Sequence, residues 1–97
     1  MIRHVVLFTW DDEMTDELEL QFAAELTALA QRLTGVLSYH AGPDVGLVEG
    51  NFDFAVVADF EDAESYLGYR DHPEHQEIIG RLSRPHVRTR ASVQYEV

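Results

Sequence analysis

The chain has 97 residues, which is enough for one domain with a single hydrophobic core but not for two. Its 18 acidic and 7 basic residues give a formal net charge of -11, which opposes binding to nucleic acids and anionic membrane surfaces because their phosphates would be repelled. There is no cysteine, so disulfides, thiolate chemistry and cysteine-type zinc sites are excluded.

No segment of the sequence predicts export or membrane insertion. The opening residues 1–8 hold a short apolar run without the small-residue pattern of a cleavage site, which is typical of a first strand rather than a signal peptide. No run approaches the roughly 18 apolar residues that a membrane helix needs. We therefore expect a cytoplasmic protein without a membrane partner.

The first half of the chain predicts a strand, a helix and a second strand. Arg3 to Trp10 is rich in β-branched and aromatic residues and predicts the first strand. Thr15 is the predicted N-cap of an amphipathic helix that runs to about Leu33, because leucines and a phenylalanine recur there at three- or four-residue steps. Val36 to about Pro43 predicts a second, weaker strand.

The second half predicts a strong strand, an interrupted helix and a last strand. Phe52 to Phe60 forms the third strand, Asp62 caps a second helix that runs to about Ser83, and His86 to Tyr95 alternates as the fourth strand. The order β-α-β-β-α-β is that of the ferredoxin-like α+β fold, with a four-stranded antiparallel sheet. We expect one domain over residues 1–97.

Pro73 interrupts the second helix within the segment Tyr66–His75. Proline has no amide hydrogen and disfavours the helical conformation at the preceding residue, so the first piece should stop near His72, which we expect to cap the second piece. The second piece places His75 on one helical stripe with three apolar residues, and we predict that its imidazole points inward. Those residues are Ile78, Ile79 and Leu82.

Both faces of the predicted sheet are substantially apolar. The first strand puts Val5 and Leu7 on one face and His4, Val6, Phe8 and Trp10 on the other. Two helices can cover only one face of a four-stranded sheet, and an uncovered apolar face is typical of association. Because two-fold homodimers are the commonest oligomers, we predict a homodimer whose two sheets face each other and enclose a partly apolar cavity.

Four segments of the sequence carry a family resemblance. They are Met1–Phe8, the turn Gly42–Asp44, Glu49–Phe60, and Tyr66–His75 with its His-Pro-x-His motif. Together they resemble the Dabb family, the stress-responsive dimeric α/β-barrel proteins, over essentially the whole chain. The resemblance implies a ferredoxin-like monomer and a face-to-face dimeric barrel, as the strand patterns predict independently.

The resemblance also ranks candidate catalytic residues. In members that resemble polyketide cyclases, a tyrosine and the second histidine of His-Pro-x-His carry an aldol-type cyclisation, and these match Tyr69 and His75 by position. His4 matches a further pocket residue. Other members are plant stress-responsive proteins without an assigned reaction.

His75 and Tyr69 are the predicted catalytic pair. Histidine has an unperturbed pKa near ~6.5, so His75 could remove a proton from a carbon between two carbonyls while Tyr69 donates a hydrogen bond to the enolate oxygen. The alternative is that His75 is a buried, hydrogen-bonded residue that holds the interrupted helix on the sheet.

The predicted ligand contacts are His4, Val6, Phe8, Tyr66 and His72. If the first-strand face of His4 lines the cavity, His4 is a second polar group in an apolar pocket; if that face meets the helices, it is only a strand-end residue. Tyr66 is expected to be a core aromatic with its hydroxyl at the rim, and His72 mainly a cap.

The sequence indicates no cofactor and no metal. No Gly-rich phosphate loop or nucleophile motif is present. Although His72 and His75 are three residues apart, the intervening proline should send their rings in different directions. The cluster of residues 11–13 is expected to be a solvated acidic turn. We also expect Asp53 and Asp59 of the third strand to pair with arginines of the last strand, Arg88 or Arg90.

These observations leave several functions open. The first is a cofactor-independent cyclase- or lyase-like enzyme acting on a small apolar carbonyl compound. The second is a non-catalytic protein of the same fold that binds a hydrophobic ligand or serves a stress-related role. The third is a cofactor-independent monooxygenase, and the motifs favour the first two.

Overall fold

The computed structural model describes residues 1–97 and contains one antiparallel sheet with its helices on one face. The strands are β1 (Ile2–Trp10), β2 (Val36–Pro43), β3 (Phe54–Phe60) and β4 (Val87–Glu96). The helices are α1 (Asp16–Arg32), α2 (Ala63–Asp71) and α3 (Pro73–Ile78), and α3 continues as a π-helical turn over Ile79–Ser83. The strand order β2-β3-β1-β4 confirms the predicted ferredoxin-like fold. None of the helices is long and apolar enough to span a membrane.

The start of β3 differs from the prediction. The strand begins at Phe54 rather than Phe52, because Asp53 leaves the regular pairing. The Asp53 carboxylate accepts a hydrogen bond from the Trp10 backbone N–H at 2.8 Å, while the Asp53 N–H donates to the Phe8 carbonyl at 2.8 Å. Asp53 thereby holds the end of the β2–β3 loop against the end of β1.

Three predicted helix caps are confirmed. Thr15, Asp62 and His72 each accept a hydrogen bond from a backbone N–H in the first turn of the following helix, at 3.1, 2.8 and 3.1 Å respectively. Such side chains satisfy N–H groups that have no partner inside the helix. The proline break therefore ends α2 and starts α3 within a single residue, His72.

The helix-covered face of the sheet carries the core. Four aromatic rings meet there, and Phe8 and Trp10 stack with their centroids 5.0 Å apart. Phe22 of α1 and Phe54 of β3 pack against both of them. The predicted stripe on α3 also faces this core, with Ile78 buried and His75 half-buried. The core thus holds α3 on the helix-covered side of the sheet.

The opposite face of the sheet has no helix and is apolar at its centre, as predicted. Val5 of β1 pairs with Val57 of β3 on one side and with Val93 of β4 on the other. Val93 is 53% exposed and Tyr95 is 46% exposed. A row of apolar side chains therefore remains open to solvent in the single chain.

The acidic residues around the sheet pair differently from the prediction. Asp59 accepts two hydrogen bonds from Arg3, at 2.8 and 3.0 Å, and this guanidinium holds the pKa of Asp59 below its usual range. The expected pairing of Asp53 and Asp59 with the last strand is wrong, because β1 lies between β3 and β4. Arg88 instead contacts Asp12 at 3.1 Å, so the acidic turn after β1 is partly paired.

Candidate functional site

A cavity of about 420 Å³ opens between the sheet and the interrupted second helix. This volume suits a small molecule. The cavity forms within one chain, on the helix-covered face, whereas the sequence predicts a cavity enclosed by the sheets of two chains. Its main lining residues are His4, Val6 and Phe8 of β1, Tyr66, Tyr69, Arg70 and Asp71 of α2, His75 and Gln76 of α3, and Ile79, Ser83, Arg84, Val87 and Arg90 beyond them.

The cavity brings together most of the residues selected from the sequence. Those that line it are His4, Val6, Phe8, Tyr66, Tyr69 and His75. His72 does not line it, because its ring turns to the first turn of α3, where Nδ1 accepts the Glu74 N–H. The sequence left two locations open for His4, a cavity wall or a sheet face under the helices. Both are observed, because this face of β1 is covered by helices and also lines the cavity.

The proline break sets the orientation of the His75 ring. Within a continuous helix the Arg70 carbonyl would accept from the backbone N–H of residue 74, but that N–H donates to the cap. The freed carbonyl accepts a hydrogen bond from His75 Nδ1 at 2.8 Å and another from Gln76 Nε2 at 2.7 Å. Because a carbonyl only accepts, Nδ1 carries the proton, and Nε2 of the neutral ring keeps a lone pair.

The surroundings of His75 favour the neutral ring. Burial is the main cause that lowers its pKa below the usual value of 6.5, and the nearby positive charges of Arg84 and Arg90 lower it further. The hydrogen bond to the Arg70 carbonyl opposes this shift but does not cancel it. At neutral pH, His75 is therefore a proton acceptor rather than a cation.

His4 is a second neutral imidazole, with the opposite tautomer. Its side chain is buried, and Gln94 Nε2 donates a hydrogen bond to His4 Nδ1 at 2.9 Å. Burial first, then the charge of Arg90, and then that of His75 in its protonated form, lower the pKa of His4 to about 4. With Nδ1 accepting, the proton of the neutral ring lies on Nε2, which makes it a donor. The ring packs beside Tyr66, with centroids 4.9 Å apart.

Tyr69 presents a hydroxyl that stays protonated. It is buried, its ring centroid lies 4.3 Å from that of His75, and burial raises its pKa to about 12. The Tyr69 hydroxyl is 2.6 Å from the Tyr39 hydroxyl. Burial raises the pKa of Tyr39 as well. The two hydroxyls share one hydrogen bond, so Tyr39 fixes the position of the Tyr69 hydroxyl from the sheet side.

Several residues of this site were not predicted, among them Tyr39, Arg84 and Arg90. The alternation of β2 puts Tyr39 on the same face as Ala41, so strand periodicity could have placed it in the core, but not beside Tyr69. Arg84 follows the π-helical turn, and Arg90 lies on an exposed strand position. No sequence pattern marks these two arginines, because their shared location depends on how the chain returns to the sheet.

Comparison with known proteins supports the resemblance. The model of the Dabb family, the Stress Responsive A/B Barrel Domain, matches residues 2–97. A dimeric ferredoxin-like protein of unknown function from Thermobifida fusca is 35% identical, covers 99% of this chain and 90% of its own, and superposes with a TM-score of 0.89. Among curated proteins, none matches the sequence.

More distant structures share the fold. A Dabb family protein with a ferredoxin-like fold from Mesorhizobium loti is 23% identical, with 99% of this chain and 95% of that chain covered and a TM-score of 0.76. The hydroxynitrile lyase from Passiflora edulis is 17% identical, with 99% and 92% covered and a TM-score of 0.82. The family match over nearly the whole length, together with the Thermobifida fusca structure, shows that this chain belongs to the Dabb family of stress-responsive A/B barrel domains.

Proposed function

We propose that this protein is a cytoplasmic, cofactor-independent enzyme of the cyclase or lyase type that acts on a small apolar carbonyl compound. The observation that carries the proposal is the hydrogen bond from His75 Nδ1 to the Arg70 carbonyl. It leaves Nε2 of His75 as a base in a cavity where Tyr69 keeps its hydroxyl proton. A base and a donor are the two groups that enolate chemistry needs.

The proposed reaction begins with proton removal from a carbon that lies between two carbonyls. His75 Nε2 takes the proton, the C–H electron pair moves onto a carbonyl oxygen, and the Tyr69 hydroxyl donates a hydrogen bond to this enolate. The enolate carbon then attacks a distant carbonyl carbon of the same molecule and forms the ring bond. The new alkoxide takes back the proton from the His75 imidazolium, which returns the enzyme to its starting state.

The fold comparison supports lyase-type chemistry on this scaffold. The Passiflora edulis protein, which has this fold, is a hydroxynitrile lyase. At 17% identity it lends support to the reaction class only, and the residues proposed here come from the cavity of this chain.

A linear aliphatic tetraketone tests the proposal. When single methylene groups separate its four carbonyls, the acidic carbon between the first two can attack the last carbonyl and close a six-membered ring. The hydroxyl formed in this step and a proton of the ring then leave as water, which gives the aromatic product. We expect the protein to convert it faster than buffer alone, with saturation kinetics, as followed by liquid chromatography of the phenolic product. Saturable binding by calorimetry without any product would contradict the enzyme.

Saturable binding of the tetraketone without any product would support the alternative, a non-catalytic protein that binds a hydrophobic ligand. The observation in its favour is the lining of the cavity, in which side chains such as Val6, Phe8 and Ile79 accompany the polar groups. In this case His75 holds α3 to the end of α2 through the Arg70 carbonyl and has no chemical role.

We also propose that the protein is a homodimer that pairs through its open sheet face. The row formed by Val5, Val57 and Val93 would be covered there, and the Thermobifida fusca relative is dimeric. Light scattering should give twice the mass of one chain at micromolar concentration. Val93→Asp should shift the mass towards the monomer, whereas Leu20→Asp, at an exposed position of α1, should not. A monomer in the wild type would overturn this assembly.

A further inference from the structure

Two arginines at the cavity differ from the other five in the chain. Every basic residue other than histidine is an arginine, and five of them pair with a carboxylate, namely Arg3, Arg32, Arg70, Arg81 and Arg88. Arg84 and Arg90 have no carboxylate partner, although the chain has 18 acidic residues. Both of them line the cavity.

The hydrogen bonds of these two arginines leave their charge uncompensated. Arg84 Nη2 donates to Gln76 Oε1 at 3.1 Å, and Arg90 Nη1 donates to Ser92 Oγ at 3.2 Å. Each guanidinium has five N–H donors and makes one side-chain hydrogen bond, to a neutral partner. Most donors of both groups therefore stay available to a ligand.

The cavity is thus locally positive in a strongly acidic protein. The charges of Arg84 and Arg90 both act on the His75 ring, and that of Arg90 also acts on His4. The third arginine of the lining, Arg70, is neutralised by Asp71 at 2.9 Å. Because the net charge of -11 repels anions from the rest of the surface, two unpaired cations at one cavity favour an anion at that place.

We propose that Arg84 and Arg90 bind the carboxylate of the ligand, so that the substrate class is an apolar keto acid rather than a neutral ketone. Guanidinium groups bind carboxylates through two parallel N–H bonds, and the apolar part of such a ligand would lie against Val6 and Phe8. The inference rests on the proposed function, because it takes the cavity as the substrate site.

A pair of probes with the same tail and different charge tests the inference. Octanoate and octanamide are titrated into the full chain at fixed ionic strength and followed by NMR chemical shifts. We expect octanoate to bind about tenfold more tightly than octanamide, which is the ratio expected for a charge-assisted hydrogen bond. Arg84→Gln and Arg90→Gln should each remove most of this ratio and leave the affinity for octanamide within about twofold.

Arg88→Gln is the matched control, because it makes the same charge change in β4 at a residue that pairs with Asp12 outside the cavity lining. Arg88→Gln should leave the ratio of the octanoate and octanamide affinities unchanged. Equal affinities for the two probes in the wild type, or an equal effect of Arg88→Gln and Arg90→Gln, would overturn the carboxylate site alone. If neither probe binds, the carboxylate site and the cavity as a ligand site both fail.

Discussion

Replacement of His75 by asparagine should lower the rate of tetraketone conversion by about 100- to 10,000-fold, the range that a general base contributes. The asparagine amide nitrogen can take the position of Nδ1 and keep the hydrogen bond to the Arg70 carbonyl. The variant has no counterpart of Nε2, so it loses the base and keeps the contact between the two helix pieces. The comparison of initial rates with the wild type measures the loss.

The neighbouring histidine provides the control for this experiment. His72→Asn keeps a residue type that caps helices well, at a position outside the cavity lining, and should retain the wild-type rate. Calorimetry should show that His75→Asn binds the tetraketone within about twofold of the wild type, because the binding surface is otherwise intact. If His75→Asn, correctly folded, keeps full turnover, His75 has no part in the reaction.

The pH profile gives a second readout of His75. A general base works only when it is deprotonated, so activity should fall as the pH falls through the pKa of His75. Burial and the nearby arginines place this pKa below 6.5, and the activity should therefore persist to a lower pH than an ordinary histidine would allow. A rate that falls with a midpoint above 6.5 would contradict the assigned environment.

Phe54→Ala should destabilise the protein by about 3–5 kcal/mol, the usual loss for removal of a buried aromatic ring. Phe54 is 1% exposed and lies 5.3, 5.7 and 6.3 Å from the ring centroids of Phe22, Trp10 and Phe8. Its removal would leave a cavity among three rings that cannot all move into the space. Such a loss is a large part of the roughly 5–15 kcal/mol that stabilises a typical domain.

Urea unfolding at a fixed protein concentration measures this effect, and the concentration must be constant because a dimer would make stability depend on it. Leu20→Ala, at a position that is 61% exposed on α1, is the control and should change the free energy of unfolding by no more than about 0.5 kcal/mol. Phe54 does not line the cavity, so the folded fraction of Phe54→Ala should keep the wild-type rate. A loss below about 1 kcal/mol would show that the four rings do not form one packed unit.

The local features of this fold were predictable because they depend on neighbours in the sequence. Thr15, Asp62 and His72 cap helices through N–H groups two or three residues away, and the proline break follows from the chemistry of one residue. The inward orientation of the His75 ring follows from helical periodicity in the same way. Strand alternation likewise placed His4, Val6 and Phe8 on one face.

The partners across the sheet were less predictable because they depend on strand order. Asp59 pairs with Arg3 rather than with an arginine of β4, since β1 separates the two strands. The π-helical turn after α3 was also missed. It forms where the Arg84 N–H donates to the Ile79 carbonyl five residues earlier, at 2.8 Å, which a continuous helical periodicity does not indicate.

By itself, the sequence determined the order of the elements, the break at Pro73 and the inward position of His75, because backbone geometry and hydrophobic periodicity act over a few residues. Only the tertiary structure decided that the cavity lies inside one chain and that the Tyr39 hydroxyl meets Tyr69. It also decided that Arg84 and Arg90 reach the same cavity. These contacts join residues that are far apart in the chain, and their positions depend on how the helices pack on the sheet.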